Sequence, residues 1–137
     1  DDPRALIDEA MCLQKTLEKI EAKKPLVTLA FLDCCREHAS VRGDIFGAGG
    51  LGDLKAPAGS LIMFASGQGE LAADAAGAKA RNGAFTSALL AHLGTPGQTL
   101  EQMAVEVRNQ VKETTGGQEP ESHNRLNVAG LCLVPAQ

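Results

Sequence analysis

Two short apolar runs constrain this chain most. Leu26-Val27-Thr28-Leu29-Ala30-Phe31-Leu32 and Ser60-Leu61-Ile62-Met63-Phe64-Ala65-Ser66 are nearly continuous rather than alternating. A strand with that pattern is buried on both faces, as in parallel sheets covered by helices on each side. The segments around them carry helical periodicity. Asp1-Asp2-Pro3 reads as an N-cap with proline in the first turn, followed by an apolar stripe at Leu6, Ala10, Leu13, Leu17 and Ile20. Lys15, Glu18, Lys19, Glu21 and Lys23 take the wet side, and Pro25 stops the helix. Residues 83–93 predict a second helix, with Phe85, Leu89 and Leu93 on one face and Gly94 at the stop. Thr99 and Gln102 fit a capping box for a third, with its stripe at Leu100, Met103, Ala104, Val107 and Val111 and its end at Gly116-Gly117. A loop with Pro120 and a closing strand over 126–134 complete the reading. Helices alternating with buried strands predict an α/β fold, three-layered, with a mainly parallel sheet and helices on both faces.

The 137 residues suffice for one domain. Neither Trp nor Tyr is present, and Phe31, Phe46, Phe64 and Phe85 are the only aromatics, so a stacking platform for single-stranded nucleic acid is excluded. The net charge of −4 gives no electrostatic footprint for DNA or RNA. Asp1, Asp2, Glu101, Glu106, Glu113, Glu119 and Glu121 are most simply a solvated acidic surface. No apolar run approaches the ~20 residues of a membrane span, and Asp1-Asp2-Pro3-Arg4 is unlike a signal peptide. Cys12, Cys34, Cys35 and Cys132 are irregularly spaced, which argues against a disulfide framework and for a reducing, cytoplasmic setting.

Chemistry is expected where the first buried strand ends, in Asp33-Cys34-Cys35, because ligands meet open α/β sheets at the carboxyl ends of their strands. Alternation puts Asp33 and Cys35 on one face and Cys34, read as a core residue, on the other. A thiol beside a carboxylate is a poor nucleophile without an imidazole to form the thiolate–imidazolium pair. The carboxylate then needs a separate role, and binding a cation such as a guanidinium suits it. The plain alternative is a strand-end Asp with two buried thiols. Zinc at Cys34-Cys35-x-x-His38 lacks a second ligand pair. The Gly47-Ala48-Gly49-Gly50-Leu51-Gly52 run follows no strand and opens no helix, so it fails as a dinucleotide loop, and a flavodoxin-like redox module lacks its phosphate cradle. The surface loop over 37–57 and the Ala/Gly-rich stretch after Ser66 carry no further motif.

Several segments resemble the caspase-like cysteine peptidases, the clan of caspases, metacaspases, paracaspases and bacterial relatives. Leu29-Ala30-Phe31-Leu32-Asp33-Cys34-Cys35-Arg36 is similar to their catalytic strand, which ends in Asp-x-Cys in the metacaspase and paracaspase branches. The helix with Asp8-Glu9-Ala10 and Leu17-Glu18-Lys19-Ile20 resembles the one preceding it in bacterial members. Residues 56–66 resemble their next core strand, and Gly67-Gln68-Gly69-Glu70-Leu71-Ala72-Ala73-Asp74 the loop after it. Asn82-Gly83-Ala84-Phe85-Thr86-Ser87-Ala88-Leu89-Leu90 looks like the small-subunit helix. The resemblance divides the chain into 1–36, the end of a large-subunit region, 37–57, an intersubunit-like loop, and 58–137, a small-subunit-like region.

By this resemblance Cys35 is the nucleophile, its backbone N–H contributes to the oxyanion hole, and Asp33 lines the S1 pocket and selects Arg or Lys. Asp74, with Glu70 as its competitor, is a second acidic pocket residue, and Ser66 and Gly67 flank the substrate backbone. The family's catalytic His lies upstream of its Cys, whereas His38, His92 and His123 all lie downstream of Cys35. His38 is read in a loop turning away, His92 at a helix surface or cap, and His123 in a solvated polar loop. The resemblance therefore implies an upstream segment that supplies the His and the first strands. It implies no required cofactor and no metal site, leaves calcium dependence open, and allows a homodimer. The competing class is a non-catalytic caspase-like scaffold acting by subunit pairing.

Overall fold

A computed structural model describes residues 13–33, 54–67 and 82–136. Helix α1 (Leu13–Glu21) leads to β1 (Thr28–Leu32), then β2 (Ser60–Phe64), α2 (Ala84–His92), α3 (Leu100–Thr115) and β3 (Glu121–Asn124). The sheet order is β1-β2-β3. β1 and β2 are parallel, with Thr28 opposite Ser60 and Leu32 opposite Phe64.

The central strand separates two cores by the alternation of its side chains. Ile62 and Phe64 pack with Leu17 of α1 and Ala56. Leu61, Met63 and Ala65 pack with Phe85 and Ala88 of α2 and with Leu100, Met103, Ala104, Val107 and Val111 of α3. Helices thus cover both faces, as the sequence predicts. β2 is buried at every position, whereas β1 is half-buried throughout.

All five residues of the α3 stripe are buried. Thr99 Oγ1 accepts from the Gln102 N–H at 3.2 Å, and the Gln102 side chain accepts from the Thr99 N–H at 3.0 Å, so both halves of the capping box form. Gly116 closes the helix at φ 75°, a left-handed cap that favours glycine, with its N–H on the Lys112 carbonyl. Thr99→Ala removes one of these bonds and is expected to cost about 0.5–2 kcal/mol, read from the urea midpoint at unchanged slope.

The α/β class holds, and several details within it are corrected. Among the described residues the sheet is mixed, because β3 runs antiparallel to β2, with Glu121 opposite Phe64 and Asn124 opposite Leu61. That strand lies in a stretch too polar to read as one. Segment 126–134 forms no strand beyond an isolated bridge between Thr99 and Cys132. Gly130 turns it at φ 70°, and its carbonyls serve the approach to α3, Leu131 accepting from Leu100 and Val134 from Gly97. On α1, Leu17 is buried but Ile20 is 39 % exposed, so the stripe turns outward at its end. The helix stops at Glu21, ahead of Pro25, and Lys24 takes a left-handed φ of 52°. The start of the predicted first helix and most of the 37–57 and 67–82 segments lie outside the described residues.

Candidate active site

β1 and β2 end side by side, and among the described residues the last backbone bond between them runs from Ala65 N–H to the Leu32 carbonyl at 3.0 Å. Each sequence-predicted site residue within the described parts lies just past that bond. Asp33 follows β1 and is exposed, while Ser66 is fully buried and Gly67 half-buried past β2. Parallel pairing therefore brings the carboxylate and the substrate-backbone segment to one edge of the sheet, although 33 and 66 are far apart in sequence. Cys34, Cys35, His38, Glu70 and Asp74 lie outside the described residues.

Asp33 has a partner that sequence reasoning missed. Thr86, in the first turn of α2, donates its hydroxyl to Asp33 Oδ2. Thr86 is held there by Phe85 and Ala88, which anchor α2 in the core. The first turn of α2 has no acidic residue and Gly83 provides no side-chain cap, so the Asp33 carboxylate complements that positive helix end from another strand. Thr86 thus orients one carboxylate oxygen, while Asp33 as a residue stays exposed. Thr86 lies inside a quoted motif, but nothing in its spacing announces a bond across 53 residues.

The end of β2 has a second unforeseen support. The Gln118 side chain, buried just beyond the α3 cap, donates to the Ala65 carbonyl at 2.6 Å. A cleft of about 300 Å³ opens beyond Gly67, lined by Arg108, Glu119, Pro120, Glu121 and Ser122. Lys112 donates to Glu119 and, by its charge as well, holds that carboxyl below the ordinary glutamate range.

The described histidines are engaged with neighbours. His92, half-buried at the end of α2, hydrogen-bonds Gln110 of α3 at 2.9 Å. His123 lies on β3 opposite Ile62, correcting the solvated-loop expectation. It bonds Glu121 at 2.7 Å and sits edge-on to Phe64, ring centroids 5.6 Å apart. Cys132 sits at the start of α3, a helix about 24 Å long by its 16 residues, remote from the end where Gln118 reaches β2. Among the described residues no three or more His, Cys, Asp or Glu are grouped to hold a metal ion, and no helix is long and apolar enough to cross a membrane.

Helices on both faces of a small sheet, with an oriented carboxylate at the strand ends, define an α/β protein with a candidate site at the carboxyl edge of its sheet. The family profile described as Caspase domain, of peptidase family C14, matches residues 1–128. The chain belongs to this caspase-like family of cysteine peptidases. No individual curated protein matches it.

Proposed function

We propose that this chain carries the catalytic strand and specificity pocket of a metacaspase- or paracaspase-type endopeptidase that cleaves after Arg or Lys. The observation that carries this reading is the exposed Asp33, its carboxylate held by Thr86 at the sheet edge. A fixed carboxylate suits the fork of a guanidinium or a lysine ammonium.

Cys35, two residues past Asp33, attacks the scissile carbonyl as a thiolate. The C–N bond breaks, the leaving amine takes a proton from an imidazolium, and water hydrolyses the thioester. The Cys35 backbone N–H stabilises the oxyanion. The imidazole comes from a segment upstream of Asp1, which also adds strands to the β1 edge. The half-burial of β1 supports that second assignment. Substrate lies extended along Ser66 and Gly67. Asp74 or Glu70 adds negative charge to the pocket, and no cofactor takes part in the chemistry.

The test is a P1 profile of the protein together with its upstream segment, using fluorogenic peptides ending in Arg, Lys or Asp. We expect kcat/KM for Arg to exceed that for Asp by about 10²-fold or more, the scale of a desolvated charge pair made or left unpaired. Preference for Asp overturns the pocket assignment. No turnover of any of these peptides favours the scaffold reading.

A further inference from the structure

We propose that Gln118 is the positioning residue for the substrate-backbone segment Ser66-Gly67, an inference that rests on the peptidase reading above. β3 accompanies β2 only as far as Phe64, opposite Glu121. The next residue, Ala65, is fully buried, and its N–H is spent on Leu32. The carbonyl of such a residue must find a donor inside the protein, and Gln118 Nε2 supplies one at 2.6 Å.

Three features of the chain deliver that amide. The left-handed Gly116 ends α3 and turns the backbone toward the sheet. The Gln118 N–H then donates to Thr115 Oγ1 at 3.0 Å, and that hydroxyl in turn donates to the Val111 carbonyl at 2.8 Å. Pro120, also buried, follows and leads directly into β3.

The consequence lies one residue on. The peptide bond is planar, so fixing the Ala65 carbonyl also fixes the Ser66 N–H, which points the opposite way. Gly67 comes next, half-buried and at the mouth of the cleft beside β3. Gln118 thereby sets the direction in which the chain leaves the sheet, and with it the placement of the segment against which an extended peptide would align. Asp33 is set independently, by Thr86. Loss of Gln118 should therefore weaken substrate alignment without changing which P1 residue is preferred.

The experiment compares the full-length protein with Gln118→Met, which keeps the length and lacks the donor, and Gln118→Glu. KM and kcat for a peptidyl-arginine amide are followed from acid to neutral pH, beside the thermal midpoint and the Arg/Asp preference. For Gln118→Met we expect KM to rise about tenfold, ~1.4 kcal/mol, with kcat within about twofold and the P1 preference unchanged. Gln118→Glu should be as impaired at neutral pH and recover as pH falls, because only the protonated acid can donate to the Ala65 carbonyl. Wild type should show no such recovery. A lowered thermal midpoint with wild-type KM in both variants overturns the role of Gln118 alone. So does a KM for Gln118→Glu that follows wild type at every pH, which keeps the test decisive if Gln118→Met fails to fold. An inactive wild type overturns the peptidase reading itself.

Discussion

Cys35→Ala should reduce turnover of a peptidyl-arginine amide by about 10⁴-fold or more, the scale on which removing a covalent nucleophile acts. Binding and oxyanion stabilisation remain in such a variant, but the thioester route is closed. The matching chemical result is labelling of wild type at Cys35 by a thiol-reactive peptidyl-arginine probe, located by peptide mass spectrometry. Cys34→Ala should still be labelled, because the strand alternation expected from the sequence assigns Asp33 and Cys35 to one face and Cys34 to the other. Labelling at Cys34 in wild type would reverse the two assignments. The proposed upstream segment matters to this result. A carboxylate next to a thiol disfavours the thiolate, and an imidazolium offsets that. His92 is bonded to Gln110 and His123 to Glu121, so neither described ring stands uncommitted beside the strand ends. We therefore expect Cys35 to be labelled efficiently only when the upstream segment is present.

The parts of this fold that the sequence announces are those where one physical cause dominates. α3 is one: its apolar spacing, its Thr99/Gln102 capping box and its glycine stop agree, and all five stripe residues are buried. β2 is another, since five adjacent residues with no solvated face allow few alternatives. β3 was hidden for the opposite reason. Glu-Ser-His-Asn has no strand pattern of its own and is drawn into the sheet by the open side of β2 and by the short turn from α3. The 126–134 segment shows the converse failure, with Leu126, Val128, Leu131 and Leu133 supplying apolar character while Gly130 bends the chain.

The candidate site divides along the same line. The position of Asp33 was legible, because a buried strand that ends in a charged residue must deliver it at the sheet edge. Its orientation was not, because that depends on Thr86, 53 residues away, and only the packing of α2 brings the two together. Gln118 was illegible for a similar reason. After two glycines a glutamine reads as loop, and its value lies in a carbonyl whose need for a donor appears only once β3 is known to stop opposite Phe64.

Asp33→Ala should lower kcat/KM for arginyl substrates by about 10²–10³-fold, ~3–4 kcal/mol, the range for truncating one partner of a hydrogen-bonded charge pair. Its effect on stability should be small. Asp33 is exposed, and its loss removes one hydrogen bond from Thr86 and a favourable charge near the start of α2, together no more than about 1 kcal/mol. This difference between function and folding distinguishes a recognition residue from a structural one, and equal losses in activity and in the urea midpoint would make Asp33 structural. Two further variants separate charge from orientation. Asp33→Asn keeps an acceptor for Thr86 but removes the charge, so it should lose arginine cleavage nearly as fully as Asp33→Ala. Thr86→Val keeps the charge but removes the donor that aims it. Its expected loss is smaller, about 3–10-fold, the net scale of one exposed hydrogen bond with the binding charge still in place, and the preference for Arg is retained. If Asp33→Asn instead cleaved after Arg at the wild-type rate, the cation would be bound elsewhere, and Asp74 and Glu70 would become the residues to test.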